Sequence, residues 1–196
     1  MTERGQPTEM TFLGEKSFLS APNPPNAPII VTIGVYGSDE AGFFNALQQA
    51  GVDTFVDIRS RRGVRGAAYA FANSQRLQAR LDELGIRYLH RPDLAPGPET
   101  RGQQYAADKA GKTAKRQRTV LDPVFAAAYR QERLAGFDSR QFLADLGPEA
   151  QVLALFCVER EPAACHRSLL ATRLQRDLGL PVKHLIAGQM APEDID

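Results

Sequence analysis

Short runs of apolar, often β-branched residues alternate with amphipathic segments along most of the chain. The first run, residues 29–33, is followed by apolar residues at helical spacing and then by Gly51, a typical helix end. The same order recurs from residue 54 to Gly85. Strands that alternate with helices favour parallel pairing through right-handed crossovers. The sequence therefore predicts a single-domain α/β fold with a mostly parallel sheet flanked by helices on both faces.

The later part of the chain continues this alternation, with one interruption. Residues 95–121 are polar and rich in Gly, Lys and Arg, which predicts a basic loop with at most a helical patch near residues 103–109. Asp122 followed by Pro123 is typical of a helix start. The other predicted elements are a strand at 86–90, helices at 122–134 and 137–146, a strand at 152–156, a helix at 164–178 and a strand at 181–186.

Length and composition indicate an ordinary soluble domain. The chain has 196 residues, of which 43% are hydrophobic and 24% charged, and its formal net charge is +1. Residues 1–27 include a proline-rich stretch and predict a tail, so residues 28–190 form the predicted domain. The chain lacks a secretory pattern and a run of roughly 20 apolar residues. We expect a cytoplasmic protein with no membrane partner, whose two cysteines are thiols.

Four predicted loops follow the carboxyl ends of strands, at residues 34–38, 59–65, 91–94 and 157–167. Ligands of open parallel sheets bind at that edge. Nearly every chemically unusual residue of the chain lies in one of these loops. Tyr36, in the first of them, is therefore a candidate for substrate binding.

The tripeptide Cys165-His166-Arg167 lies where the helix predicted at 164–178 begins. Free backbone N–H groups and the helix dipole favour an anion there and lower the pKa of a cysteine. Cys165 is thus a candidate thiolate, His166 a proton carrier and Arg167 an anion ligand. Neighbouring helical residues point about 100° apart, so at most two of the three face one pocket. Alternatively, Cys165 packs in the core while His166 or Arg167 caps a neighbouring strand.

Cys157 and Glu159 follow the most apolar strand and, two residues apart, point to the same side. A carboxylate in this position can act as a base, bind a metal or hold an arginine. The alternative is a solvated Glu159 in a loop and a Cys157 that is a small core residue. We predict catalytic roles for Glu159, Cys165 and His166.

Asp57 interrupts a run of apolar residues, and a buried carboxylate is costly unless it is paired. Arg59, two residues on and facing the same way, is the nearest candidate partner. Together with Arg61, Arg62 and Arg65 it forms an arginine cluster that suits phosphate or carboxylate. We predict that Asp57, Arg59 and Arg62 bind substrate, although Arg61 and Arg62 suit a solvated surface loop equally well.

Positive charge is concentrated between residues 101 and 118, where Asp108 is the only acidic residue. The cations are Arg101, Lys109, Lys112, Lys115, Arg116 and Arg118. Such a segment can close over a phosphorylated ligand, follow a nucleic-acid backbone or simply be solvated. No metal site is predicted, because the chain has neither a CxxC pair nor closely spaced histidines to join His90.

Five short motifs together resemble the DUF488 family, a domain of unknown function. They are Thr32-Ile-Gly34, Val56-Asp-Ile-Arg-Ser60, Gly85-Ile-Arg-Tyr88, Phe156-Cys-Val-Glu159 and Cys165-His-Arg167. Their order and spacing match from about residue 31 to residue 174. The resemblance implies an α/β domain. It points to the family-defining residues Asp57, Arg59, Cys157, Glu159, Cys165, His166 and Arg167.

This chain departs from the family pattern at two places. Similar sequences usually have a His after the Thr-Ile-Gly turn and often a Pro after the Arg-Ser pair, where this chain has Val35 and Arg61. The first departure removes a possible proton carrier, and the second changes the arginine loop. A weaker likeness links the Asp-x-Arg strand end and the later cysteine loop to rhodanese sulfurtransferases. Cys157 is followed by an acidic loop that would repel an anion, which disfavours sulfur transfer.

Two functions are consistent with these residues. The first is an enzyme that acts on an anionic, phosphate-bearing or nucleotide-like substrate, with Arg59 and Arg167 as ligands and with Glu159, Cys165 or His166 transferring protons or attacking. The second is a nucleic-acid-binding or ligand-sensing module without catalysis. A third hypothesis is a structural scaffold in which these residues form internal ion pairs. The sequence indicates neither a cofactor nor an oligomeric state.

Overall fold

The fold is built on one sheet of five parallel strands. A computed structural model describes residues 27–188, so most of the predicted tail and the last two residues of the predicted domain lie outside the described residues. The strands are β1 (Ile29–Gly34), β2 (Thr54–Asp57), β3 (Arg87–His90), β4 (Val152–Cys157) and β5 (Val182–Leu185). Their order in the sheet is β3-β2-β4-β1-β5, and every pairing is parallel. The prediction of a parallel α/β sheet is confirmed.

Helices connect the strands as the alternation predicted. They are α1 (Glu40–Gln49), α2 (Ser74–Glu83), α3 (Pro98–Ala110), α4 (Pro123–Tyr129), α5 (Ser139–Leu146) and α6 (His166–Leu178). Asp122 caps α4 by accepting hydrogen bonds from the N–H groups of Val124 and Phe125. Within the described part of the chain, no helix is both long enough and apolar enough to cross a membrane.

Helices cover both faces of the sheet. Phe156 and Cys157 are consecutive in β4 and therefore point to opposite faces. On one face, the ring of Phe43 in α1 packs against Phe156 with 5.6 Å between centroids. On the other face, the Cys157 sulfur lies 3.9 Å from Nδ1 of His166, the first residue of α6. The predicted two-sided packing is confirmed.

The two central strands end at the same level. β1 and β4 pair in register from Ile29 with Val152 to Gly34 with Cys157. All residues of these strands except the first of each are buried. β2 pairs with the other side of β4 up to Asp57. The loops that follow β1, β2 and β4 therefore meet at one edge of the sheet.

The segment 95–121 is more regular than a loop, and that part of the prediction was wrong. Helix α3 occupies its first half, beginning with Pro98 at the first helical position. The Glu132 carboxylate accepts a hydrogen bond from the hydroxyl of Thr100 at 2.7 Å. The residues that α3 buries are Thr100 and Gln104. Because these residues are polar, the helix has no apolar stripe for a periodicity argument to detect.

Gly34, the last residue of β1, lies against the loop that follows β4. A Cβ atom at this position would lie 1.8 Å from the carbonyl oxygen of Glu159 and 3.1 Å from NH1 of Arg167. The turn that follows β1 also contacts the loop after β4, since the N–H of Tyr36 donates to the carbonyl of Val158 at 3.0 Å. The Thr-Ile-Gly motif thus has a steric reason, because only glycine permits this approach.

We expect Gly34→Ala to lower the free energy of unfolding by about 1–3 kcal/mol or more, because the loop backbone must move to admit the methyl group. Gly102→Ala is the matched control, since a Cβ there meets nothing within 4 Å and Gly102 lies inside α3. The control should be neutral or stabilising by up to about 1 kcal/mol. Denaturant unfolding of both variants measures the difference, and equal midpoints would contradict the steric account.

Candidate functional site

A cavity of about 550 Å³ lies at the carboxyl ends of β1, β2 and β4. Its lining comes from the loops after these strands, with the start of α6, and from residues between Pro96 and Phe125. The volume suits a small-molecule ligand. The loop at 91–94 was expected to contribute but does not line the cavity, and its Arg91 pairs with Asp93 at 2.8 Å.

Two thiols and an imidazole form the floor of the cavity. The sulfurs of Cys157 and Cys165 and a ring nitrogen of His166 lie within 4.8 Å of one another. Nδ1 of His166 lies 3.9 Å from each sulfur, and Nε2 lies 3.4 Å from the carbonyl oxygen of Ile58. One ring nitrogen thus contacts the backbone while the other faces the thiols. Both cysteines are unbridged and buried.

Cys165 lies directly before α6, and its side chain makes no hydrogen bond to the helix backbone. Burial opposes its ionisation, but the hydrogen bond with Cys157 and the positive charges of Arg167 and His166 hold the pKa of Cys165 well below its ordinary value. Burial also opposes a charge on His166, yet the negative sulfur of Cys165 raises the pKa of that imidazole. These shifts favour a thiolate–imidazolium pair.

The pKa of Cys157 is shifted in the opposite direction to that of Cys165. Its hydrogen bond with Cys165 and its burial raise the pKa of Cys157 well above the ordinary value. Two acceptors lie within reach of its S–H group, the Cys165 sulfur and Oε2 of Glu159, the latter at 3.3 Å. These opposite shifts favour a protonated Cys157 beside an ionised Cys165.

Glu159 connects the thiols to the cationic wall of the cavity. Its Oε1 lies 3.4 Å from Nζ of Lys115 and 3.6 Å from NH1 of Arg118. Burial and the negative sulfur of Cys165 raise the pKa of the Glu159 carboxyl, and the charge of Lys115 opposes that rise. A carboxyl group whose pKa is raised in this way is better able to accept a proton and return it.

Positive charge dominates the lining of the cavity. Among residues 27–188, Glu159 is the one acidic residue of the lining, and the cationic residues are Arg59, Arg61, Arg65, Arg101, Lys115 and Arg118. Two of these cations have a carboxylate partner outside the lining, since Arg59 pairs with Asp57 and Arg118 with Asp108. The remaining positive charge favours an anionic guest.

Asp57 and Arg59 form the predicted buried ion pair. NH2 and Nε of Arg59 donate to the two carboxylate oxygens of Asp57 at 2.7 and 2.8 Å, and NH1 donates to the carbonyl of Ala72 at 3.0 Å. The hydroxyl of Tyr88 donates to the same carboxylate at 2.8 Å, and burial together with Asp57 raises the pKa of Tyr88 to about 12. Asp57 does not line the cavity, contrary to its predicted role in substrate binding.

Arg167 is fully buried and does not line the cavity, which corrects its prediction as an anion ligand. NH1 donates to the carbonyl oxygen of Glu159 at 2.5 Å and NH2 to that of Arg160 at 2.8 Å. Nε donates to the hydroxyl of Thr32 in β1 at 3.4 Å. The rigid fork of the guanidinium thus ties the loop after β4 to β1.

The predicted site residues divide into two groups. Tyr36, Arg59, Glu159, Cys165 and His166 line the cavity, whereas Asp57, Arg62 and Arg167 do not. Gln104 and Tyr105 also line it and were not singled out from the sequence. Both belong to α3, whose extent was underestimated, so Pro98 at the start of that helix was the one signal that pointed to them.

The floor of the cavity also has the donors that a metal ion would use. Two cysteine sulfurs and one imidazole nitrogen are ligands that zinc prefers, and the contact of the other ring nitrogen with a backbone carbonyl is common for a histidine ligand. The sequence predicted no metal site because Cys157 and Cys165 are too far apart for a CxxC pattern. The fold brings them to one point, so Cys157, Cys165 and His166 are able to hold such an ion.

Comparison with known proteins identifies a family but no individual relative. The family model described as Domain of unknown function DUF488 matches residues 41–174, from α1 into α6. No curated protein and no solved structure matches the chain.

We expect Asp57→Asn to lower the free energy of unfolding by about 3–5 kcal/mol, because it leaves the Arg59 guanidinium buried without a counter-charge. Tyr88→Phe is the matched control, since it removes one hydrogen bond to the same carboxylate and should cost about 1 kcal/mol. Chemical denaturation of both variants provides the comparison. A cost for Asp57→Asn no larger than that for Tyr88→Phe would contradict the account of the ion pair.

Proposed function

The chain belongs to the family of the domain of unknown function DUF488, and we propose that it is an enzyme whose Cys165 thiolate attacks a small anionic substrate. The observation that carries the proposal is the position of Cys165 and His166 at the floor of a cavity with cationic walls. The proposed substrate bears phosphate or carboxylate groups. The other residues of the cavity have roles that follow from their contacts.

Cys165 is the nucleophile in this proposal. A thiolate, rather than a thiol, attacks an electrophilic centre, and the start of a helix beside a cationic imidazole favours the thiolate. Arg167 contributes its positive charge from within the protein, while its hydrogen bonds hold the loop that carries Glu159. We assign Arg167 a positioning role for that reason.

His166 and Glu159 transfer protons. Nδ1 of His166 lies 3.9 Å from the nucleophilic sulfur, so the imidazolium is placed to protonate a leaving group. Glu159 lies against the other thiol and against Lys115, and it borders the same cavity. The two groups provide an acid and a base on one floor, which suits a reaction with a covalent intermediate.

The anionic part of the substrate binds at Lys115 and Arg101. The side chain of Lys115 is 41% exposed and has the Glu159 carboxylate as its ion-pair partner. NH1 of Arg101 is held by the carbonyl of Pro96 at 2.8 Å and the hydroxyl of Ser60 at 3.2 Å, and neither of these carries a charge. The positive charge of Arg101 is thus anchored but not neutralised, which supports recognition of phosphate or carboxylate.

A nucleotide-like substrate has support from the aromatic residues of the wall. Tyr36 and Tyr105 line the same cavity as the cations, and Tyr105 is 55% exposed. A tyrosine face beside fixed positive charge suits a planar group that carries a phosphate.

The nucleic-acid-binding alternative has less support. It needs the basic residues of 101–118 to form an exposed track. Arg118 is instead buried and paired with Asp108, and Lys115 faces Glu159 at the cavity. Charges that converge on a cavity suit a small ligand better than a polymer backbone.

We expect alkylation of Cys165 to reveal both its ionisation and the preference for anions. The rate with neutral iodoacetamide should be half-maximal well below pH 8.5, where ordinary thiols are about half ionised, because the lowered pKa leaves the thiolate populated at lower pH. Lys115→Met should slow anionic iodoacetate by about fivefold relative to iodoacetamide, the effect of roughly 1 kcal/mol of charge interaction.

Two controls accompany this measurement. Lys109→Met removes a charge from α3 that does not line the cavity, and it should leave the ratio of the two rates unchanged. Cys165→Ser should remove the rapid reaction. Alkylation that has the pH profile of an ordinary thiol, or a rate ratio that Lys115→Met does not alter, would refute the proposal.

A further inference from the structure

We propose that Cys157 is the resolving thiol for Cys165, so that the site reduces a small carboxylate-bearing disulfide and closes a Cys157–Cys165 bond. This inference rests on the proposed function, because it requires Cys165 to attack first. It goes further by naming the bond that is broken and the group that releases the intermediate. Its basis is the presence of a second thiol, with its own base, on the floor of the same cavity.

The two sulfurs are neighbours on the floor of the cavity. They are within 4.8 Å of each other and both cysteines line the cavity. A disulfide requires about 2.05 Å between the sulfurs, so a side chain must rotate before the bond closes. This rotation breaks no hydrogen bond to the backbone of α6, because the Cys165 side chain makes none.

The surroundings of the two thiols set the order of attack. Nδ1 of His166 lies 3.9 Å from each sulfur, so the other neighbours make the difference. Cys165 lies at the start of α6, whereas the sulfur of Cys157 lies 3.3 Å from Oε2 of Glu159 and its S–H group donates to that oxygen. A helix start favours a negative sulfur and a neighbouring carboxylate disfavours one, so Cys165 attacks first. Glu159 removes the proton of Cys157 when the second attack begins. Each ionisable group on the floor of the cavity then has a role in the reaction that is consistent with its contacts.

In the first step, the Cys165 thiolate attacks one sulfur of the substrate disulfide. A bond forms between Cys165 Sγ and that sulfur, the substrate S–S bond breaks, and the first substrate thiolate leaves with the proton of the His166 imidazolium. In the second step, Cys157 passes its proton to Glu159 and attacks Cys165 Sγ. The second substrate thiolate leaves and takes up the proton that Glu159 received.

Two electrons move from the protein thiols to the substrate in this sequence. One small disulfide and two protein thiols become two small thiols and one protein disulfide. The reaction is a half-cycle, and an external dithiol returns the protein to its starting state.

The cavity favours a carboxylate-bearing disulfide over a peroxide. A peroxide would oxidise the same thiolate, but it needs neither a cavity of about 550 Å³ nor a cationic wall. Lys115 and Arg101 supply charge for carboxylates that flank the reacting sulfurs.

The test uses the full chain and follows intact mass after addition of dithiodipropionate, with neutral hydroxyethyl disulfide as the matched probe. The variants are Cys157→Ser, Cys165→Ser and Glu159→Gln, each checked for folding by circular dichroism. The wild-type protein should lose the mass of two hydrogen atoms and carry no adduct. Cys157→Ser should retain a mixed disulfide that peptide mapping places on Cys165 and that dithiothreitol removes.

The remaining variants separate the two steps. Cys165→Ser should form an adduct at least about tenfold more slowly than Cys157→Ser, because it lacks the favoured thiolate. Glu159→Gln should accumulate the mixed disulfide before the internal bond forms, whereas a merely structural Glu159 would alter both steps alike. The neutral probe should react about fivefold more slowly than the anionic one in the wild-type protein.

Three results would overturn the inference. One is a wild-type protein that retains the adduct as Cys157→Ser does. Another is independent modification of the two cysteines without an internal bond. The third is a protein that holds zinc on these thiols and reacts only after chelation. If iodoacetate still modifies Cys165 rapidly in the first two cases, the proposed function stands and only the resolving role fails, whereas a Cys165 inert to iodoacetate removes both.

Discussion

The buried guanidinium of Arg167 holds the loop after β4 in place, and the floor of the cavity depends on that contact. The guanidinium donates hydrogen bonds to the carbonyl oxygens of Glu159 and Arg160, and Gly34 leaves room for the backbone of the same loop. The loop is thereby fixed so that Glu159 faces Cys157. Arg167 also follows His166 directly in α6, so one short segment supplies both the support and the reacting groups.

The charges around the cavity are divided between support and recognition. Asp57 neutralises Arg59 within the protein, and this pair holds the loop after β2. Glu159 is shared between Lys115 and Arg118, so its charge does not cancel the positive wall. In the proposed reaction, the positive charge of the cavity wall attracts the anionic substrate and offsets its repulsion by the Cys165 thiolate.

Much of the fold follows from local patterns, and the site follows from the fold. The apolar run that becomes β4 and the glycines that end α1 and α2 predict parallel strands, and parallel strands place Asp57, Cys157 and the start of α6 at one edge. The side-chain roles were harder to predict. A sequence cannot distinguish an arginine that binds substrate from one that binds carbonyl groups, because the difference at Arg167 depends on where the backbone of another loop lies. The extent of helix α3 was underestimated for a related reason, since the residues that it buries are polar.

The nearness of Cys157 and Cys165 was likewise not visible in the sequence, because it depends on how α6 begins beside the end of β4. We propose that this contact divides the two thiols into one ionised and one protonated group. Since the chain has two cysteines, a pH titration followed by NMR on protein labelled at the cysteine β-carbons reports both thiols directly, and Cys165→Ser assigns the signals. The expected result is that Cys165 ionises well below, and Cys157 well above, the ordinary thiol pKa of about 8.5. Two signals that titrate together near that value would contradict the account.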